Sequence, residues 1–296
     1  MWQIVGIFGV FAAIGTGYSL AGGKFAVILH SLGPELLTIL GSGCMTVLIS
    51  NEMATIRKIL TGIRKIFAGP RWKKSDYVDA LCLVFLLARI ARQEGNMVLE
   101  KHIENTGSSP IFQRYSRLCA DSALIAFIAD VFRSISMNFT DPHTVGEMME
   151  VELEKRHHEE MRAPKALSLM ADGLPALGIV AAVLGVIKAM GSISEPPEVL
   201  GHMIGSALVG TLLGVFLAYG LVGPLAVRLK GVLEEEATML GMVRQTIVSH
   251  LEGLAPQLAV EVGRKSVPSR FQPTFEELDQ VVNEAAKSVR AKADGS

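Results

Sequence analysis

Two long apolar runs joined by a short polar hinge, between Leu167 and Val227, limit what this chain can fold into more than any other feature. The first run, Leu167 to Ile187, carries a single charge, Asp172. The second, Val199 to Val227, carries none. Each meets the ~20 apolar residues needed to cross a hydrocarbon core of about 30 Å. The hinge, SISEPPEVL, is too short to hold a domain, so the pair reads as a transmembrane hairpin and the chain as an all-α integral membrane protein. Small residues recur on one face of each run. Ala171, Pro175, Gly178, Ala182, Gly185 and Ala189 step by three and four in the first, and Ala207, Thr211, Gly214 and Ala218 in the second. Lipid rewards large apolar side chains as well as protein does, so such stripes mark close helix contact. They can serve the hairpin itself. Two full stripes exceed what one hairpin needs, and further partner helices are expected against Gly178, Gly185, Ala207, Gly214 and Ala218.

Composition agrees. Charged residues make up 19% of the 296 residues, below the ~25% of soluble domains. Aromatics are only 6% against 29 glycines, a balance suited to close helix packing in a membrane. A net charge of −1 offers no basic field, so nucleic acid is not an expected partner. Cys44, Cys82 and Cys119 lie far apart, without a CxxC pair, and imply neither a disulfide frame nor a metal site. No nucleophile–base, metal or phosphate-loop motif occurs, so neither catalysis nor a cofactor is expected.

Taken in order, the uncharged stretch Met1–Gly23 reads as a retained first span. Lys24 to Glu35 reads as a connector holding His30 and Pro34. A second span follows from about Leu36 to Ser50, starting near Pro34, with Glu35 at the interface or against a neighbour. Arg57, Lys58, Arg64, Lys65, Arg71, Lys73 and Lys74 then crowd one side of the membrane, which the positive-inside rule makes cytoplasmic. The acidic hinge suits the outside, and Arg228 and Lys230 the inside. The expected organisation is two spans in 1–51, a helical cytoplasmic loop domain in 52–165, two spans in 166–228 and cytoplasmic helices with a tail in 229–296, both termini inside. In the loop, Tyr77 to Glu100 contains an apolar run, Ala80–Leu87, too short to span and therefore a buried helix. Ala120–Met137 and the charged Thr144–Arg162 are further helices, the latter running into the third span with Pro164 at the join. His157 and His158 beside Glu159 and Glu160 point about 100° apart in sequence and do not converge on a metal. Leu233, Ala237, Leu240, Ile247 and Leu251 form an apolar stripe after the last span. Thr274 to Glu277 is a capping box for a final helix, and AKADGS should fray.

Ionisable groups in spans are costly and mark ion paths. The hairpin holds only Asp172, about 9 Å in, and His202. Thr211, about 18 Å from Val199, is the polar side chain near the middle, and a hydroxyl does not titrate near neutral pH. Either Thr211 bonds its own backbone one turn back and nothing is conducted, or a partner helix supplies the missing carboxylate. Pro175 and Pro224 each remove a backbone bond and can kink their helices.

Four stretches carry a specific likeness: LPALGIVAAVLGVIKAMGS from Leu174, LVGTLLGVFLAYGLVGPLA from Leu208, LARIARQEGNMVLEKHIEN from Leu87 and LAVEVGRK from Leu258. In these, and over nearly its full length, the chain resembles the MotA family of flagellar-motor stator subunits. The resemblance implies a ring of five subunits around two copies of MotB, whose spans carry the essential Asp. It implies location in the bacterial inner membrane, with proton passage turning the ring and cytoplasmic heads pushing the rotor protein FliG. It assigns Pro175, Pro224, Thr211, Ala182, Asp172 and Tyr219 to the ion pathway, and Arg92 and Glu100 to the rotor contact. Spaced by eight, Arg92 and Glu100 share a face if the helix is unbroken across Gly95. Sodium-driven relatives resemble the chain but place Thr at the positions of Ala182 and Gly210, which implies protons here. The ExbB/TolQ type of energiser, with three spans and an outside N-terminus, and a non-conducting scaffold are the alternatives.

Overall fold

The computed structural model describes residues 2–293, with side chains to Lys287. All the regular structure described is helical. In chain order the helices are α1 (Trp2–Leu20), α2 (Phe25–Ser50), α3 (Met53–Ala68), α4 (Lys74–Gln93), α5 (Asn96–Ile103), α6 (Pro110–Gln113), α7 (Ser116–Cys119), α8 (Ser122–Ser136), α9 (Pro142–Met190), α10 (Pro197–Leu251), α11 (Pro256–Lys265) and α12 (Phe275–Ala293). Four of them, α1, α2, α9 and α10, are long and apolar enough to cross a membrane. The chain divides into two compact units, residues 2–69 with 159–233 and residues 70–158 with 234–293. The expected fraying of AKADGS falls largely on residues 294–296, outside the described residues.

The first unit holds the apolar helices. Gly22, at φ +77°, turns the chain tightly between α1 and α2. The second span therefore begins at Phe25 and not near Pro34, and the expected Lys24–Glu35 connector is helix. Pro34 lacks the N–H that would bond the carbonyl one turn back, yet the helix runs on through it. The Thr38 hydroxyl donates to the Pro34 carbonyl at 3.0 Å, and a wider π turn follows at Leu37–Gly41. Glu35 consequently sits ten residues inside α2, about 15 Å along its axis.

Against α2 lies the α9–α10 hairpin, and its backbones touch. A methyl built on Gly178 would lie 2.8 Å from the Gly210 carbonyl oxygen and 3.0 Å from Gly214 Cα. One on Gly214 would lie 2.7 Å from the Leu174 carbonyl, and one on Gly185 would lie 2.6 Å from the Ala207 methyl. Ala218 is fully buried in a cluster with Leu174, Ile39 and Leu217. The five small residues expected to receive partner helices are thus covered inside the subunit. The reason is geometric: helices this close exclude a third backbone from the same face. Large aliphatic side chains, among them Ile179, Val183, Leu208 and Leu212, remain exposed instead.

The second unit is a helical bundle around a closed apolar core. Every side chain from Ala80 to Leu87 is at most 1% exposed, packed with Phe112, Phe127 and Phe132. Asp121 caps α8 by accepting from the Ala123 and Leu124 amides. The Thr274–Glu277 capping box forms as expected, Thr274 N–H donating to Glu277 Oε2 at 2.7 Å and Glu277 N–H to Thr274 Oγ1 at 3.2 Å. The core-facing stripe of α10 differs from expectation. Met239, Met242, Val243 and Ile247 are buried, Ala237 and Leu240 are half-buried, and Leu233 belongs to the first unit. α9 is continuous through Pro164, with Glu159 grouped in the first unit and His158 in the second. Burial pushes the Cys82 thiol up to about 12, so it is a core group without thiolate character.

Burial also lowers the imidazoles of His102 and His250. Both are easier to protonate in the unfolded chain, so their contribution to stability is complete above about pH 6.5 and is lost as pH falls. Thermal melting of the detergent-solubilised protein is expected to drop as pH is lowered from about 7 to about 5, and the drop to shrink in H102Q/H250Q. The hairpin contact gives a second expectation. Gly214→Val should destabilise by about 1–3 kcal/mol, read as a lower melting temperature, whereas Gly201→Ala, where the added methyl meets open space, should not.

Candidate ion-pathway hairpin

The polar residues assigned to the pathway are spread along α9 and α10. On α9, Asp172 is exposed, Pro175 is half-buried within the helix, and Ala182 is half-buried two turns further on. On α10, Thr211 is half-buried, Tyr219 is exposed, and Pro224 is exposed just after a π turn at Leu217–Val222. That turn is where Pro224 would otherwise strain a regular helix, since its ring opposes the carbonyl four residues back. The structure therefore brings Ala182 and Thr211 to one level and leaves Asp172, Tyr219 and Pro224 toward the other end.

What joins them is Gly210. A methyl at this position would lie 2.7 Å from Glu35 Oε2, 3.1 Å from the Ala181 methyl and 3.1 Å from the Ala182 nitrogen. Segments α2, α9 and α10 meet here, beside Thr211 and close to mid-depth. Thr211 differs from its counterparts in α2. Thr38 and Thr46 donate to the carbonyl one turn back, at 3.0 Å each, while among the described residues the Thr211 hydroxyl makes no hydrogen bond. The back-bonded alternative for Thr211 is thus not realised, and the hydroxyl stays available.

Glu35 is the group that sequence reasoning misplaced. Its Oε2 is sealed from solvent without a hydrogen-bond partner. One turn away, the Ser31 and Ser206 hydroxyls meet across the α2–α10 contact at 2.6 Å. The available signal was a 26-residue apolar stretch, Phe25–Ser50, holding one carboxylate. Reading Pro34 as a helix start hid it.

Arg92 and Glu100 are both exposed in the second unit. They do not lie on one unbroken helix. Gly95, at φ +87°, ends the turn after α4 in a conformation that side chains disfavour, and α5 starts afresh at Asn96. An Arg92 N–H donates weakly to the Leu254 carbonyl at 3.5 Å. Glu159 shares the exposed surface of α9 with His157 and His158, as a solvated helix face requires.

Comparison with known proteins agrees with this architecture. Residues 4–95 match the model of the motility protein A N-terminal region, and residues 120–242 that of the MotA/TolQ/ExbB proton channel family. Motility protein A of Escherichia coli is 37% identical over 282 residues, covering 95% of both chains. Chemotaxis protein LafT of Vibrio parahaemolyticus is 29% identical, covering 95% of this chain and 98% of its own. Among solved structures, the Bacillus subtilis flagellar MotAB stator complex superposes with a TM-score of 0.68 at 24% identity, covering 92% of this chain and 98% of that one. The C. jejuni MotAB structure gives 0.70 at 19% identity, covering 90% and 95%, and both likenesses are of fold. The chain belongs to the motility protein A family, within the MotA/TolQ/ExbB proton channel proteins.

Proposed function

We propose that the chain is a stator subunit of a bacterial flagellar motor that, with MotB, conducts protons inward across the inner membrane and turns that flow into torque. The observation that carries the reading is the likeness to motility protein A along 95% of the chain, together with four helices long and apolar enough to cross a membrane. In this reading five copies surround two MotB spans, both termini are cytoplasmic, and residues 52–165 and 229–296 form the cytoplasmic part. The exposed aliphatic face of α9 and α10 meets the partner spans, and the free Thr211 hydroxyl offers an oxygen at mid-depth to a proton relayed by the partner's acid. Pro175 and Pro224 are the bending points, with Asp172 and Tyr219 toward the inner mouth of the path. Asp172 lies in the cytoplasmic half of α9, where an exposed carboxylate draws cations.

Protons fit the site better than sodium. Dehydrating sodium demands several oxygen ligands, and neither Ala182 nor Gly210 carries one in its side chain. The second unit provides the contact with the rotor protein FliG through Arg92 and Glu100. Exposed charges of this kind add only ~0–1 kcal/mol to stability, yet they steer and register a contact that is made and broken repeatedly.

Three outcomes are expected. Swimming of cells carrying this chain should follow pH and be indifferent to sodium at fixed pH and to a sodium-channel blocker, and collapse under the blocker would overturn the ion assignment. Ala182→Thr should slow proton-driven swimming at unchanged membrane abundance. Arg92→Glu should abolish most torque while proton conductance of the co-expressed complex persists, because the change lies away from the hairpin.

A further inference from the structure

We propose that Glu35 is a proton-exchanging carboxyl within the membrane wall of each subunit, seated against Gly210 and approached along the Ser31–Ser206 hydroxyl pair. The inference rests on the reading of the chain as a proton-conducting stator subunit and adds a second acid to a path otherwise dependent on the partner's.

Depth is the first argument. Glu35 lies about 15 Å along α2 from Phe25, and Gly210 about 17 Å along α10 from Val199, so two independent helices place the carboxyl near the midplane of a core about 30 Å thick. A carboxyl there is expensive, and one kept in a span marks an ion route by default. Seating is the second. Oε2 is buried without a hydrogen-bond partner, in a gap that exists because residue 210 has no side chain. A packed interface under no other demand would fill that gap with a methyl and replace the acid with an aliphatic side chain. Access is the third. Ser31 is one turn from Glu35 on α2, and Ser206 is one turn from Gly210 on α10, each step about 6 Å on the same helix face. The Ser31 hydroxyl is placed to donate to Ser206 Oγ at 2.6 Å or to the Val27 carbonyl at 2.9 Å. The pair is therefore a hydrogen-bond step between α2 and α10 on the hinge side of Glu35.

The exchange balances simply. A hydronium on the hinge side gives its proton to the Glu35 carboxylate, leaving water and the neutral acid. The acid later releases that proton to water on the far side and the carboxylate is restored. The other titratable groups on the packed segments are His30, Cys44, Asp172, Lys188, Glu198, His202 and Tyr219. His30 is exposed and rotated about 140° from Glu35 on α2. The others stand six or more residues from the Glu35 contact along their helices, about 9 Å or more. None of them shares the seat.

The test uses the complex of this chain with its partner subunit, purified and reconstituted in proteoliposomes. Proton flux is measured across a pH series for the wild type, for Glu35→Gln, and for the complex whose partner acid is changed to Asn. Infrared difference spectra of the same samples read the carbonyl stretch of protonated carboxyls. Gln preserves the shape of the side chain, so the seat stays filled. The expected result is flux lowered by about two- to tenfold with a flattened pH profile, and a carbonyl band present in wild type and missing in E35Q. Wild-type flux and pH profile in E35Q, with no band lost, would overturn the proposal. If E35Q does not assemble, Glu35→Asp decides, since it should move the band, and an unmoved spectrum counts against Glu35 equally. A wild-type complex that conducts no protons, or conducts equally without the partner's acid, refutes the stator reading itself and is a separate outcome.

Discussion

The contact of bare backbones between α9 and α10 is the interaction on which the membrane part depends. Lipid supplies no hydrophobic drive for one apolar helix to leave it for another, so association rests on shape and dispersion. Gly178, Gly210 and Gly214 let two carbonyl-bearing backbones approach to distances at which any Cβ would collide. Once the helices are that close, α2 can lay Glu35 into the space left at Gly210. The carboxyl, the free Thr211 hydroxyl and the backbone of Ala182 then share one level. Remove the closeness and these groups separate.

This packing also decides what the hairpin can offer a partner. The small residues are used up inside the subunit. A helix arriving from outside meets branched aliphatic side chains and, at intervals, a hydroxyl or a proline. Such a surface is smooth, whereas interlocked glycine faces would hold one register. The second unit follows the opposite rule. Its core of Phe, Leu and Ile around Ala80–Leu87 is dense and closed, with caps at Asp121 and Thr274 fixing where helices begin. Helices α9 and α10 contribute residues to both units, α9 changing along its length from a polar amphipathic pattern to an apolar one and α10 from apolar to polar amphipathic.

Much of this was legible in residue order. Four apolar stretches of sufficient length, a buried eight-residue run, a capping box and a charged helix passing through Pro164 each follow from local rules about length, period and end chemistry. Pro34 reads as a helix boundary because proline in water breaks helices, but here the helix runs through it and widens into a π turn just beyond. For Arg92 and Glu100 the shared face depends on an unbroken helix, and Gly95, with its positive φ, restarts the helix. The stripe in the tail meets the core through Leu240, Ile247 and Leu251, and the larger Met239 and Met242 join them there.

The sequence by itself determined that the chain holds helices long and apolar enough to cross a membrane beside a second set of helices with an apolar core of its own. It also determined that its hairpin is built for close contact, because span length, hydropathy and small-residue spacing are one-dimensional properties. Only the tertiary structure decided which surface meets each small residue, and that a carboxylate from a distant helix lies against Gly210. Both depend on three helices converging at one depth, and the relative rotation and height of helices far apart in sequence is set by packing.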